Sequence, residues 1–303
     1  MPLRIVQSKQ NPRLKQLRRA LAKPLGDAEA GGRTLAGIEG PNLLKEALRA
    51  GLHIECVFVA EGSERLLDGL ALTAQTDILV TPAGLLHACL ATETPQAVAA
   101  LVETPDWTWE HVLDPERKGE TLIVVLAGLQ DPGNLGTILR SAEAFRADGV
   151  ISLPGTVHAW NAKVIRASAG SVFRMPVLEA SAELAIERLH KAGVKIWTTT
   201  ASGALRADLA DLAGATALLI GNEGNGVPPD LAARSDGAVT IPCPGPVESL
   251  NASVAASVLL YEAERQRSGA RARLARGNRS TRLARMEHSE KSRFPVEGVG
   301  DER

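Results

Sequence analysis

The chain has 303 residues, 45% hydrophobic and 23% charged, which suits two ordinary globular domains and excludes a fibre or a wholly disordered protein. No apolar run is long enough for a membrane span or a signal peptide, and aromatic side chains at 3% are too few for extended base-stacking platforms. A net charge of −1 excludes a uniformly basic protein, and three widely separated cysteines (Cys56, Cys89, Cys243) show no metal spacing and imply a reducing, cytoplasmic setting.

Charge is nevertheless unevenly placed. Residues 1–24 carry seven basic side chains (Arg4, Lys9, Arg13, Lys15, Arg18, Arg19, Lys23) and no acid, and residues 265–285 carry eight arginines and no acid. Local basic density sets phosphate attraction, so both segments are candidates for phosphate contact, the alternative being solvated helix faces and a disordered tail. The first reads as a basic N-terminal helix beginning after Ser8 or Asn11. Residues 25–103 then read as a small α/β unit, with strands at Leu35–Ile38, Ile54–Ala60 and Asp77–Val80. Helices are expected at Asn42–Ala50, Ser63–Leu70 and Ala83–Ala91. Residues 104–119 are polar, aperiodic and twice interrupted by proline, as in an inter-domain linker.

The second domain, residues 120–268, opens on Thr121-Leu-Ile-Val-Val-Leu-Ala127, a near-continuous apolar run of the kind buried on both faces of a parallel sheet. Further strands are expected at Gly149–Ser152, Lys195–Thr199, Ala217–Ile220 and Ala238–Ile241, with helices at Gly136–Phe145, Ser181–Ala192 and Ser253–Arg267. That alternation implies an α/β fold with a doubly wound parallel sheet. Residues 269–303 are Arg/Ser/Gly-rich, have little to bury and are expected to be disordered.

Three loops of the second domain carry the chemistry. In Leu129-Gln-Asp-Pro-Gly-Asn-Leu-Gly-Thr-Ile-Leu-Arg140, Asn134 either caps a helix starting near Gly136 or faces a site; Arg140, placed one turn into that helix, either reaches a ligand at its N-terminus or is solvated. In Gly221-Asn-Glu-Gly-Asn-Gly226, three glycines allow close approach of a ligand or another backbone. Glu223 there is either an acceptor for loop N–H groups or a site acid. In Ile241-Pro-Cys-Pro-Gly-Pro-Val-Glu-Ser-Leu-Asn-Ala252, a strand end breaks into a rigid loop before a helix that Ser249 or Asn251 could cap. No hydrolase triad, phosphate-loop lysine motif, metal-spaced cluster or dinucleotide fingerprint accompanies them.

These three stretches resemble the ordered motifs of the SpoU/TrmH branch of the SPOUT RNA methyltransferases, across nearly all of residues 121–267. The segment Trp160–Ser171 is similar to the family's connecting segment. The first hundred residues resemble, more diffusely, its ribosomal-protein-like substrate-binding domain, through Gln10-Asn-Pro and Ile38-Glu-Gly-Pro-Asn-Leu-Leu-Lys-Glu-Ala-Leu48. The resemblance implies a deep trefoil knot in the C-terminal domain, a homodimer, and transfer of a methyl group from S-adenosylmethionine to a ribose 2′-hydroxyl of RNA. Ribosomal RNA is favoured over transfer RNA as the partner, and no metal is implied. It further implies cofactor contacts from Leu219, Gly221, Asn222, Gly226, Ile241, Pro242, Leu250 and Ala252. Asn134, Arg140, Glu223, Ser249 and Asn251 would be catalytic, and Arg4, Lys9, Arg13, Lys15, Arg18 and Arg19 would contact RNA. Cys243 and Pro246 make the third motif more proline-rich than the family pattern, and are expected to stiffen it.

A guanidinium stays protonated at neutral pH, so Arg140 is expected to orient the target phosphate and stabilise the developing alkoxide, with Glu223 or a phosphate oxygen taking the proton. Two rival readings stand beside this one. A non-catalytic RNA-binding protein is disfavoured by the intact Asn134, Arg140, Glu223 and Asn251. A small-molecule methyltransferase or nucleotide-binding oxidoreductase is disfavoured by the missing glycine fingerprint and the basic N-terminal segment.

Overall fold

The computed structural model describes residues 3–26, 33–90, 92–116, 119–201 and 204–270. Most of the basic tail, and the expectation of RNA contact or disorder placed on it, therefore lies outside the described residues.

The N-terminal half is a five-stranded mixed sheet in the order β1-β4-β3-β5-β2, from β1 (Leu3–Ile5), β2 (Leu35–Glu39), β3 (Ile54–Ala60), β4 (Asp77–Thr81) and β5 (Val98–Glu103). β1, β4 and β3 run parallel, while β5 is antiparallel to both β3 and β2. In the basic segment α1 (Pro12–Ala22) begins after Asn11 as expected, and a short edge strand, β1, precedes it. Asn11 caps α1 by accepting from Arg13 N, and proline occupies its first turn, where its missing N–H costs nothing. Leu14, Leu17, Ala20 and Leu21 form the buried stripe of α1. α2 (Pro41–Arg49) and α3 (Ala83–His87) complete this half. Ser63–Leu70 yields only a 3₁₀ turn at Glu64–Leu67, in which no residue is buried and no apolar face holds a longer helix. The proline-interrupted stretch after β5 contains one short helix, α4 (Trp109–Val112), closed by a capping box between Thr108 and His111.

The C-terminal half is a seven-stranded, wholly parallel sheet in the order β10-β12-β9-β11-β6-β7-β8. Its strands are β6 (Leu122–Leu126), β7 (Gly149–Ser152), β8 (Val177–Glu179), β9 (Lys195–Thr199), β10 (Leu205–Arg206), β11 (Thr216–Ile220) and β12 (Gly237–Thr240). Every residue of β6 and β11 is buried, as the continuous apolar runs require for central parallel strands. Helices α5 (Pro132–Ala144), α6 (Ala162–Ala167), α7 (Ala182–Lys191), α8 (Pro229–Ala232) and α9 (residues 252–270) flank it. From β6 the chain builds outward through β7 and β8, then crosses to the other side for β9, β11 and β12. The strand order therefore reverses between β6 and β11. Ligands of such sheets bind outside the carboxyl ends of the strands at that reversal.

One buried cluster joins the two halves, running from Ile38 and Leu44 to Trp160 and Phe173. Arg174 spans the same seam, donating from Nη1 to Glu46 of α2 at 3.0 Å and from Nε to Glu143 of α5. The far end of α9 is fixed by Arg267, which is only 5% exposed. Its guanidinium donates to the carbonyls of Glu120, Thr121, Leu212 and Gly214. Arg267 begins inside the basic segment considered for phosphate contact, and it is instead a buried structural group. Among the described residues no helix is long and apolar enough to cross a membrane, and no group of His, Cys, Asp and Glu could hold a metal ion.

Candidate active site at the reversal of the parallel sheet

α5 starts earlier than its sequence suggests. Asp131 is the N-cap, its carboxylate accepting from Asn134 N at 2.8 Å, and Pro132 takes the first helical position. Asn134 is therefore not a cap; it sits inside the first turn with its side chain free for other partners. Its Nδ2 donates to Glu223 Oε1 at 2.9 Å, and its Oδ1 accepts from Asn251 Nδ2 at 3.0 Å. One amide thus ties all three loops together. Asn251 does double service: its Oδ1 accepts from Ser253 N, Ser253 Oγ and Val254 N, capping α9, while its Nδ2 faces Asn134. Ser249 does not cap; it is exposed and lines a cavity.

The loop after β11 is knit to itself. Asn222 and Gly226 exchange both backbone hydrogen bonds, and Asn222 Oδ1 accepts from the N–H groups of Gly224 and Asn225. Asn222 Nδ2 donates to Gly128 O at the end of β6. Gly221 is required here because a Cβ would lie 2.0 Å from the carbonyl carbon of Gly226. The close approach that the glycines permit is thus that of the loop's own backbone.

Glu223 is exposed yet firmly held. Partial burial raises its carboxyl pKa, but hydrogen bonds from Asn134 and from the backbone N–H groups of Glu223, Asp131 and Gln130 outweigh this. The net direction is below the usual glutamate value. A carboxylate so stabilised is a weaker base, and its role here is to anchor the first loop to the second.

Beside this linkage lies a cavity of about 480 Å³ across the carboxyl ends of β9, β11 and β12. Gly221, Asn222, Gly226, Ile241, Leu250 and Ala252, six of the eight residues expected to contact the cofactor, line this cavity together with Glu223, Glu248 and Ser249. Leu219 and Pro242 do not: Leu219 is buried within β11, its carbonyl accepting from Thr199 Oγ1, and Pro242 points to solvent. Thr198, Thr199 and Thr200 at the end of β9, none of them among the expected site residues, form one wall. Three threonines closing a parallel strand next to the reversal were the available signal. Thr198 Oγ1 is buried without a hydrogen-bond partner in the cavity wall.

Arg140 lies eight residues beyond Pro132, about 12 Å along the axis. It is more than two turns into α5 rather than one, so it cannot close over a ligand at the N-terminus of its own helix. It is exposed and has no ion-pair partner among the described residues. Of the basic N-terminal residues, Arg13 is committed to Glu55 at 2.9 Å and Asp77 at 3.6 Å, and Arg4 to Asp77 at 3.7 Å. Lys9, Lys15, Arg18 and Arg19 are exposed.

A cavity at the reversal of a doubly wound parallel sheet, beside an asparagine-tied loop cluster, places this chain among the α/β proteins that bind a ligand at the carboxyl ends of their strands. Comparison with known proteins gives the family. Residues 121–261 match the model of the SpoU rRNA Methylase family. The 23S rRNA (guanosine(2553)-2′-O)-methyltransferase RlmP of Bacillus subtilis is 34% identical over 224 residues, covering 74% of this chain and 86% of that protein. The SpoU methyltransferase AviRb of Streptomyces viridochromogenes, solved in complex with S-adenosylmethionine, superposes with a TM-score of 0.75 at 28% identity, covering 85% of this chain and 98% of that one. An RNA 2′-O ribose methyltransferase superposes with a TM-score of 0.72 at 31% identity, covering 87% of this chain and 99% of that one. The chain belongs to the SpoU family, and it is a methyltransferase.

Proposed function

We propose that this protein transfers a methyl group from S-adenosylmethionine to a ribose 2′-hydroxyl of ribosomal RNA. The observation that carries the reading is the Asn134–Glu223–Asn251 linkage, which fixes three separate loops around one cavity. The cavity fits the cofactor. Its backbone-rich wall and the unpartnered Thr198 hydroxyl suit the adenosine portion, and the carboxylates of Glu223 and Glu248 at its rim suit a sulfonium cation. The cofactor supplies an activated methyl group. What the chain must supply is alignment of the hydroxyl and removal of its proton.

Asn134 and Asn251 would hold the geometry, and Ser249 would complete the pocket wall. Arg140 would bind the target phosphate and stabilise the alkoxide as it develops. Glu223 or a phosphate oxygen of the RNA would take the proton; the hydrogen bonds that hold the Glu223 carboxyl below its usual value weaken it as a base. The outward placement of Arg140 is accounted for by a homodimer in which it acts on the partner's cavity. Supporting this, α9 presents an exposed stripe of Val254, Val258 and Tyr261, and it packs on α5 through Ser141 and Ser257 beside Arg140. We further propose that residues 241–251 thread beneath the chain linking β9 to β11, forming the trefoil knot. In support, that link pairs with β12 at Thr200, Ala201 and Ala207, while α9 returns to the middle of the sheet. Pulling the chain from both ends tests it: a knotted chain stops short of full contour length, and reaching full length excludes the knot.

The activity test is transfer of labelled methyl to separated ribosomal and transfer RNA, with Arg140→Ala as control. Alkali-resistant label in ribosomal RNA that vanishes in the variant is expected. Label only in transfer RNA would overturn the substrate, and failure to bind the cofactor would overturn the enzyme.

A further inference from the structure

A second cavity, of about 450 Å³, opens at the seam between the two halves, away from the reversal of the parallel sheet. Its lining includes Glu39, Asn42 and Gln96 from the N-terminal half and Arg166 and Ala169 from the C-terminal half. Nothing in the methyl-transfer chemistry uses it.

Three observations point to a ligand. Glu39 is only 5% exposed, and its Oε1 accepts from Thr92 Oγ1 and Gln96 N, yet its Oε2 has no hydrogen-bond partner. A carboxylate oxygen buried unpaired is costly, and such groups call for an explanation. Next to it, the nine-residue helix α2 begins at Gly40 with no side-chain cap, so the N–H groups of Asn42 and Leu43 lack partners among the described residues. Across the seam, Arg166 is exposed with no ion-pair partner among the described residues, and Ala169 holds a left-handed backbone at φ 51°. The cavity thus sets a buried acceptor beside free donors, with a guanidinium at its mouth.

We propose that this seam pocket takes one unstacked guanine of the RNA substrate, a reading that rests on the proposed RNA methylation. The Watson–Crick edge of guanine offers two adjacent N–H donors and one carbonyl acceptor, matching the Glu39 carboxylate and the start of α2. Arg166 meets the adjoining phosphate. To reach Oε2 the base displaces the half-exposed turn at residues 92–96, whose hydroxyl and amide hold the other oxygen. The pocket is close to the catalytic helix: α6, which carries Arg166, packs so tightly on α5 that a Cβ on Gly136 would lie 2.4 Å from that of Ala167. A base seated here therefore sets the register of the strand that passes Arg140.

The test is chemical probing of guanines in deproteinised ribosomal RNA bound to the full-length protein, alongside methyl-transfer kinetics. With the native chain one guanine is protected. With Glu39→Gln that protection is lost and KM for RNA rises about tenfold or more, while kcat and cofactor affinity change little. Arg166→Ala, on the surface, weakens protection without loss of thermal stability and covers the case in which Glu39→Gln destabilises the fold. Protection of a different base type, or KM and protection unchanged in both variants, overturns the proposal. Protection without methyl transfer would leave the pocket standing and overturn the activity instead.

Discussion

The loops after β11 and after β12 form two walls of the same cavity by opposite means. Residues 222–226 are closed by reciprocal backbone hydrogen bonds and two asparagine- or glutamate-centred fans of N–H groups. Among the described residues, residues 242–250 make no backbone hydrogen bond, and their single side-chain hydrogen bond is the weak one from Cys243 Sγ to Ile241 O. Only Pro242, Pro244 and Pro246 restrain them, by narrowing the backbone rather than by bonding it. One wall is built before the ligand arrives; the other is left to be completed by it. On the proposed function, preorganisation on one side would keep the reacting geometry, and looseness on the other would admit the cofactor.

The heaviest blow to this contrast is Gly221→Ala. The added methyl collides with the Gly226 backbone at 2.0 Å, and backbone cannot move aside as a side chain can. A loss of ~3 kcal/mol or more is expected. It would be seen as a fall in Tm of roughly 6 °C or more together with loss of S-adenosylmethionine binding in calorimetry. A well-folded variant that still binds would show that the closed loop is not what builds the wall. Next in size is Asn134→Ala, which cuts the tie among the loops without removing a residue of the cavity lining. Methyl transfer should drop about 100-fold while cofactor affinity stays within a few-fold. An equal loss in both would make Asn134 a structural residue of the cavity.

The loose wall answers to milder tests. On adding S-adenosylmethionine, hydrogen exchange should slow at Cys243, Gly245 and Val247–Leu250 and change little at Asn222–Gly226, which are already bonded. Uniform slowing would erase the distinction between the walls. Pro246→Gly should weaken cofactor affinity roughly two- to fivefold through added freedom of the unbound loop. No change would mean that the prolines restrain nothing that binding needs.

How far this arrangement could be read in the sequence follows the same physical line. The strands β6, β7 and β11 announce themselves because central parallel strands are short, fully buried apolar runs, β9 and β12 show shorter apolar stretches, and the loops after β6 and β11 carry the glycine and asparagine signals. The elements missed are those with no period to detect: β8 has three residues and β10 two, and both are held by neighbours rather than by their own pattern. α5 starts before the helix expected near Gly136 because Asp131 followed by Pro132, a pair that also suits a turn, serves as its cap and first helical residue. That earlier start puts Arg140 more than two turns into the helix rather than one. The seam pocket was illegible for another reason. Glu39 and Arg166 are 127 positions apart in the chain, and only the packing of α2 near α6 makes them neighbours.

The smallest effect is a pH dependence confined to the tie on the built wall. The carboxyl of Glu223 titrates lower in the folded protein than its ordinary value of 4.5, so the ionised form favours folding. Its contribution is present above that value and is lost as pH falls through the lowered folded pKa. Several other carboxylates are also held low, Glu46 and Glu143 at the seam among them, so acid will weaken the whole protein and the raw curve cannot be assigned. The comparison with Glu223→Gln can. Glutamine keeps an oxygen to accept from Asn134 but carries no charge to titrate. The Tm difference between the native chain and this variant should be flat above pH 4.5 and shrink below it, modestly, because the group is exposed and screened. A difference that stays constant down to pH 3 would mean that Glu223 works by shape alone, and that the tie between the first two loops owes nothing to its charge.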